Sequence, residues 1–200
     1  MIVSVCGLIG SGKSTLVSNL SNHDGYIEFQ EPVDTNPFLE SYYKDPVRWS
    51  YAMQVNLLFE RYKQTCEAFL HSVRGEVALL DSTIYSDMAF ALVQKWSMFF
   101  TESEFISYIK MHKVIESQTA YPDIVFWLNL TPSQALERIA KRGRSCEGGI
   151  KLGYLESLND AYTEVLYKLQ KRTNVIRVDA SQNAEAVYDA CSKIIKDFKE

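Results

Sequence analysis

The sequence predicts an α/β protein, a five-stranded parallel sheet with helices on both faces, and three observations predict it. Short apolar runs alternate along the chain with longer stretches of helical period, the order a parallel sheet needs because each crossover carries a helix. Residues 7–15, Gly-Leu-Ile-Gly-Ser-Gly-Lys-Ser-Thr, have phosphate-loop spacing and stand between an apolar run (2–6) and a helical stretch (14–20). Two acids, Glu31 and Asp81, each follow a strand-like run, at the sheet edge where α/β proteins bind ligands.

The loop needs its residue types where they stand. Glycine lets the backbone take positive φ and approach an anion. Successive N–H groups then converge, and the helix that follows adds its positive end. Gly7, Leu8, Ile9, Gly10, Ser11, Gly12, Lys13, Ser14 and Thr15 are therefore the expected phosphate cradle. Lys13 is expected to reach the β- and γ-phosphates of a nucleotide, and the Ser14 hydroxyl to hold Mg²⁺.

The other elements follow in order. Residues 26–29 alternate like a strand and lead to Glu31, a candidate general base. A short helix is expected over 36–43, then a long one from 47 to about 73, a stretch without Gly or Pro. Met53, Leu57, Leu58, Tyr62, Cys66 and Leu70 lie close to helical period in it. Gln54 and Arg61, seven residues apart, share one face, and a glutamine beside Trp49 and Met53 suits recognition of a flat polar ring. Residues 77–80 form an apolar strand that delivers Asp81 beside Glu31, where it resembles a second Mg²⁺-side acid. Helices are expected over 82–95 and 102–119, joined by an apolar stretch (96–100) expected in the core or a subunit contact. A strand over 123–130 precedes a helix opened by Thr131-Pro132. That helix carries Arg138, Lys141, Arg142 and Arg144 before the glycines at 148 and 149, as a lid with basic groups for transferring phosphates would. A helix over 151–171, a strand over 175–178 and a helix from 183 complete the series.

Composition narrows the class. Two hundred residues, 46% hydrophobic and 23% charged, suit one soluble globular domain spanning 1–200. A net charge of −4 gives no reason to expect nucleic-acid binding. The cysteines at 6, 66, 146 and 191 lack C-x-x-C spacing and suit reduced thiols. No apolar run approaches the length of a membrane span, and the first strand begins at residue 2, so we expect no leader, no membrane partner and a cytoplasmic location.

Four motifs in order resemble the deoxyribonucleoside kinase family of the deoxycytidine, deoxyguanosine and insect multisubstrate type, over essentially the whole chain. They are the phosphate loop, Glu31-Pro32-Val33, Pro46-Val47-Arg48-Trp49-Ser50-Tyr51-Ala52-Met53-Gln54, and the stretch from Arg138 through Arg142-Gly143-Arg144-Ser145-Cys146-Glu147 to Tyr154-Leu155-Glu156. The first is shared by many kinases and NTPases; the other three together are specific. The resemblance implies a P-loop kinase fold with an arginine-rich lid at about 142–150. It implies ATP and Mg²⁺, the ion near Ser14 and Asp81, and phosphorylation of a small-molecule deoxynucleoside at its 5′-hydroxyl. Glu31 becomes the base on that hydroxyl, Lys13, Arg142 and Arg144 the charge-bearing catalytic groups, and Arg138 and Arg142 phosphate ligands. Tyr43 and Glu147 would contact the 3′-hydroxyl, Trp49 would wall the pocket, Met53 would border the base, and Gln54 would read the base edge. Arg61 and Asp87 would form an ion pair beside the base, which in the family goes with deoxycytidine and purine deoxynucleosides more than with thymidine. A homodimer joined through the long helices is implied as well.

The chain also departs from that pattern. Asp81-Ser82-Thr83 stands where the family writes an acid, an arginine and Ser or Thr; that arginine helps place the 5′-hydroxyl. Ala91 stands where deoxycytidine kinase has a stacking aromatic, and Leu57 is bulky for a position bordering the pocket. Two alternative readings accompany the first: a thymidylate-type nucleoside monophosphate kinase, and a catalytically weakened nucleotide-binding regulatory protein. The monophosphate reading needs extra cations near Glu31, which the sequence does not offer.

Overall fold

A computed structural model describes residues 1–31, 36–143 and 147–199. Its strands are β1 (Ile2–Gly7), β2 (Ile27–Phe29), β3 (Ala78–Asp81), β4 (Ile124–Asn129) and β5 (Asn174–Asp179). They form one sheet in the order β2-β3-β1-β4-β5, parallel at every pairing, as the alternation predicts. The order reverses at β1, which opens a crevice at the carboxyl ends of β1 and β3. All six residues of β1 and all four of β3 are buried, which is why these runs are mainly apolar rather than alternating, with Ser4 and Asp81 the polar exceptions. Val5 pairs with Asp81, so the acid ends β3 just before β1 turns into the phosphate loop.

The helices are α1 (Lys13–Asp24), α2 (Leu39–Lys44), α3 (Pro46–Val73), α4 (Ile84–Trp96), α5 (Glu102–Gln118), α6 (Pro132–Arg142), α7 (Leu152–Leu169) and α8 (Ala184–Lys199). α1 runs four residues beyond the expected end at 20 and takes in His23 and Asp24. Gly25 stops it in a left-handed cap, its N–H bonded to the Ser21 carbonyl. α2 starts three residues late because Asn36 is a buried anchor. Its Oδ1 accepts from the Phe38 N–H at 2.9 Å and its Nδ2 donates to the Met53 carbonyl at 3.3 Å. Asp45 caps α3, accepting from the Arg48 N–H, with Pro46 in the first turn. α4 begins at Ile84 and not at 82, since Thr83 is its N-cap and Ser82 takes φ +79°. α5 and α6 open on reciprocal capping boxes, Thr101 with Glu104 and Thr131 with Gln134.

The apolar residues of α3 divide between two faces. Met53, Leu57 and Leu58 point inward with Gln54 and Arg61, all buried. Val55, Phe59, Tyr62, Cys66, Phe69 and Val73 fall at alternating steps of four and three along a separate, half-buried to exposed stripe. The connection from Trp96 to Phe100 is also divided: Phe100 is in the core, whereas Trp96 and Met98 stand in solvent. Among the described residues no helix is long and apolar enough to cross a membrane.

Candidate active site

Three glycines give the loop its shape, with φ of +147° at Gly7, +82° at Gly10 and +97° at Gly12, the last being the N-cap of α1. Space as well as φ excludes a side chain at two of them. A Cβ on Gly7 would sit 2.7 Å from the Leu128 carbonyl oxygen, and one on Gly10 would sit 2.9 Å from that of Ala135. Lys13 folds over the loop, its Nζ donating to the carbonyls of Gly7 at 3.3 Å and Leu8 at 3.2 Å. On the outer side, Gly10, Gly12 and Thr15 line a cavity with Arg138 and Arg142. Arg138 is fixed there by an Nη2–H bond to the Ala180 carbonyl at 2.7 Å. A polyanion fits this channel, with backbone N–H groups and a helix terminus on one side and two guanidinium groups on the other.

The Ser14 hydroxyl donates to Asp81 Oδ2 at 2.5 Å, while Asp81 Oδ1 is buried with no partner. A hydroxyl beside a carboxylate with an unused oxygen is a donor set that suits Mg²⁺. Burial raises the Asp81 pKa, opposed in part by Lys13.

A second cavity, on the inner side of the loop, holds the remaining candidates. Glu31 comes off β2 into it, and Arg61 reaches it from α3 with Nη2 2.5 Å from Glu31 Oε1. Burial alone would raise the Glu31 pKa; Arg61 and then Lys13 outweigh it and hold the carboxyl below the usual glutamate range. The Ser82 hydroxyl, buried with no full hydrogen bond of its own, also lies close enough to favour the charged form. Arg61 pairs through Nη1 with Asp87, which also accepts from the Tyr108 hydroxyl at 2.5 Å. Arg61 is 1% exposed and Asp87 0%, so this network is sealed from solvent except on the side of Glu31. Gln54, also fully buried, donates from Nε2 to the Asp87 carbonyl at 3.2 Å, and its Oε1 has no partner. At the other end of the cavity Arg142 Nη2 grips both oxygens of Glu147, at 2.6 and 2.7 Å.

The family model described as deoxynucleoside kinase matches residues 3–200. The chain belongs to that family. Among curated members of this kinase family, a deoxyadenosine kinase of Dictyostelium discoideum is 33% identical over 180 residues, 90% of this chain and 72% of the relative. A deoxyguanosine kinase of the same organism is 34% identical over 180 residues, and the chain spans 63% of its length. Among solved structures, a deoxyadenosine kinase from M. mycoides with bound dATP has a TM-score of 0.86 at 30% identity, covering 98% of this chain and 99% of that one. The same kinase was also solved with bound dCTP.

Against the family's pattern, Lys13, Ser14, Glu31, Tyr43, Met53, Gln54, Arg61, Arg142 and Glu147 all line the inner cavity, with Leu57 at its edge. Asp87 stands directly behind Arg61. Trp49, expected to wall the pocket, is half-buried and stacks on Phe38, ring centroids 5.9 Å apart, with the Arg48 guanidinium over it; it is not among the residues that line this cavity. Arg144, the third catalytic cation expected, lies outside the described residues, as do Pro32, Val33, Ser145 and Cys146. Sequence reasoning gave no role to Tyr42, Phe90 and Gln94, nor to Tyr154 of the fourth motif, which also line the cavity. Phe90 was within reach: it follows Asp87 by three residues, one helical turn, while Ala91 is buried in the core. Tyr42 was not, because its place depends on a contact across 52 residues, the Gln94 amide donating to its hydroxyl at 3.1 Å.

Proposed function

We propose that this kinase transfers the γ-phosphoryl group of ATP to the 5′-hydroxyl of a deoxynucleoside, with deoxyadenosine and deoxycytidine favoured over thymidine. The observation that carries the base preference is the buried, unpartnered Gln54 Oε1 in a cavity shared with Glu31 and Lys13. The bond from Gln54 Nε2 to the Asp87 carbonyl fixes which end of the amide is free, so the base must bring a donor. Adenine and cytosine carry an exocyclic amino group beside a ring nitrogen acceptor; thymine has a carbonyl there. The buried Arg61 Nε, also without a partner, suits that ring nitrogen. The dATP- and dCTP-bound structures of the M. mycoides relative agree with a site that takes these two bases.

In this reading Glu31 takes the proton of the 5′-hydroxyl as its oxygen attacks phosphorus in line. Lys13 and Arg142 hold the charge on the moving phosphoryl group, Arg144 adds to them, and Arg138 keeps the outer phosphates seated. Ser14 and Asp81 would hold Mg²⁺, which would supply neutralisation of charge on the phosphate oxygens. Tyr43 and Glu147 orient the sugar. The exposed stripe of α3 supports a homodimer formed through that helix, and the free thiols of Cys6, Cys66 and Cys191 suit the reducing cytoplasm. An ADP-release assay with ATP and Mg²⁺ across the four deoxynucleosides and thymidylate tests the reading. Turnover greatest with deoxyadenosine or deoxycytidine is expected; turnover of thymidylate alone would overturn it in favour of a monophosphate kinase.

A further inference from the structure

β2 does not itself fix the acid that follows it. Its ladder to β3 ends with Phe29 beside Leu80, two residues short of Glu31. What holds Glu31 comes instead from a single turn of α3. The half-buried Gln64 donates from Nε2 to the Gln30 carbonyl at 2.7 Å. Arg61, three residues earlier on the same face, brings Nη2 to 2.5 Å from Glu31 Oε1. Among the described residues no other side chain makes a full hydrogen bond to that carboxylate; the Ser82 hydroxyl lies near it without one. Arg61 is itself anchored. Its Nη1 is bonded to Asp87 on α4, which accepts a further bond from Tyr108 on α5 at 2.5 Å. Arg61 is 1% exposed, and Asp87 and Tyr108 are 0%. Glu31 is thus the open end of a buried chain of hydrogen bonds rooted in three helices.

We infer that Arg61 and Gln64 are positioning residues for the candidate base: Arg61 holds the carboxylate by Oε1 and leaves Oε2 to accept the 5′-hydroxyl proton, while Gln64 fixes the main chain beside it. The proton passes from the sugar oxygen to Oε2, and Arg61 keeps its own protons and charge throughout. A glutamate beyond the end of a three-residue strand has many conformers, and each bond that selects the productive one removes that search from the reaction step. Arg61 then has two separate tasks. Its unpartnered Nε is the group offered to the base, and its Nη2 serves the acid. A base bonded to Nε leaves the bond at Nη2 in place, so experiment can tell the two tasks apart.

The inference rests on the reading that Glu31 takes the 5′-hydroxyl proton. Its test is single-turnover phosphoryl transfer at saturating ATP and acceptor. One acceptor is whichever of the four deoxynucleosides turns over fastest. The other is 2′-deoxyribosyl benzimidazole, whose six-membered ring has no hydrogen-bonding group for Arg61 to read. Arg61→Met combined with Asp87→Asn removes the guanidinium together with its buried counter-charge. It should slow the saturated rate at least about tenfold with both acceptors, the scale of one charge-assisted hydrogen bond. Gln64 is not among the residues that line the acceptor cavity. Gln64→Leu should slow transfer to the deoxynucleoside about threefold with KM within about twofold, and it serves as the test if the double variant does not fold. In a Glu31→Gln background both changes should cost less than about twofold, because no carboxylate is left to place. A loss confined to the hydrogen-bonding acceptor, an unchanged rate in Gln64→Leu, or losses undiminished in the Glu31→Gln background would each overturn the inference. Full turnover in Glu31→Gln alone, or no transfer to any deoxynucleoside, would instead sink the underlying reading.

Discussion

Deoxyinosine is a sharp probe of the base site, because it carries a carbonyl oxygen where deoxyadenosine has its amino group and an N–H where deoxyadenosine has the neighbouring ring acceptor. Opposite Gln54 the first change sets an acceptor against an acceptor. The amide cannot turn round to help. Its Nε2 is committed to the Asp87 carbonyl at 3.2 Å, and a turned amide would bring two carbonyl oxygens together in a site with 0% exposure. Either way one buried polar group goes unsatisfied, at a cost of about 1–3 kcal/mol. At 1.4 kcal/mol per decade, kcat/KM for deoxyadenosine should exceed that for deoxyinosine roughly 5- to 150-fold. The assay is ADP release at subsaturating acceptor, repeated on Gln54→Leu, which removes the acceptor at similar volume. There the ratio should shrink by loss of the preferred substrate but not vanish, because the ring N–H of hypoxanthine still faces the Arg61 Nε donor. Deoxyinosine equal to or better than deoxyadenosine in the parent protein, or a ratio untouched in the variant, would refute the reasoning.

Other outcomes are expected. Glu31→Gln should lower kcat by about 10²–10⁴-fold while nucleoside binding by calorimetry persists. Gly10→Ala combines a positive φ with a Cβ 2.9 Å from the Ala135 backbone oxygen, so it should destabilise the fold by roughly 2–4 kcal/mol and depress nucleotide binding, read by thermal unfolding with and without ATP. Phe59→Lys and Phe69→Lys place charges in the exposed stripe of α3 and should shift a dimer to monomer in sedimentation velocity, with little effect on the fold of the isolated chain. The Asp24 carboxyl is lowered in pKa, burial being outweighed by Lys196 and Ser192. Its contribution is therefore present above the ordinary aspartate pKa near 4 and disappears as pH falls through the depressed native value. Asp24→Asn should lower Tm by about 1–3 °C at pH 7, and the difference should shrink as pH falls below the ordinary aspartate range.

What was legible in the sequence was local or periodic. The phosphate loop is nine consecutive residues, and its glycines stand where φ and space demand them. Gln54 and Arg61 were tied to one face by their spacing of seven, and the buried strands β1, β3 and β4 were marked by short, mainly apolar runs. What was not legible depends on which side chains meet across the fold. The stacking of Phe38 on Trp49 joins residues eleven apart across α2 and could not be read from local spacing. The apolar set of α3 looked like one face because Tyr62 and Cys66 fit helical period with Leu58, yet half of it is turned away from the core. Most telling is Arg61: its spacing announced a partner at the base site, and nothing local announced Glu31, thirty residues earlier on another element.

The bonds from Lys13 to the Gly7 and Leu8 carbonyls show a cradle already assembled around its own cation. An arriving phosphate does not have to gather a disordered loop; it takes over an ammonium group from two neutral oxygens. Nucleotide capture is then an exchange of partners, with little ordering left to do. Backbone order parameters of residues 7–14 should accordingly be high before any nucleotide is added, and change little after.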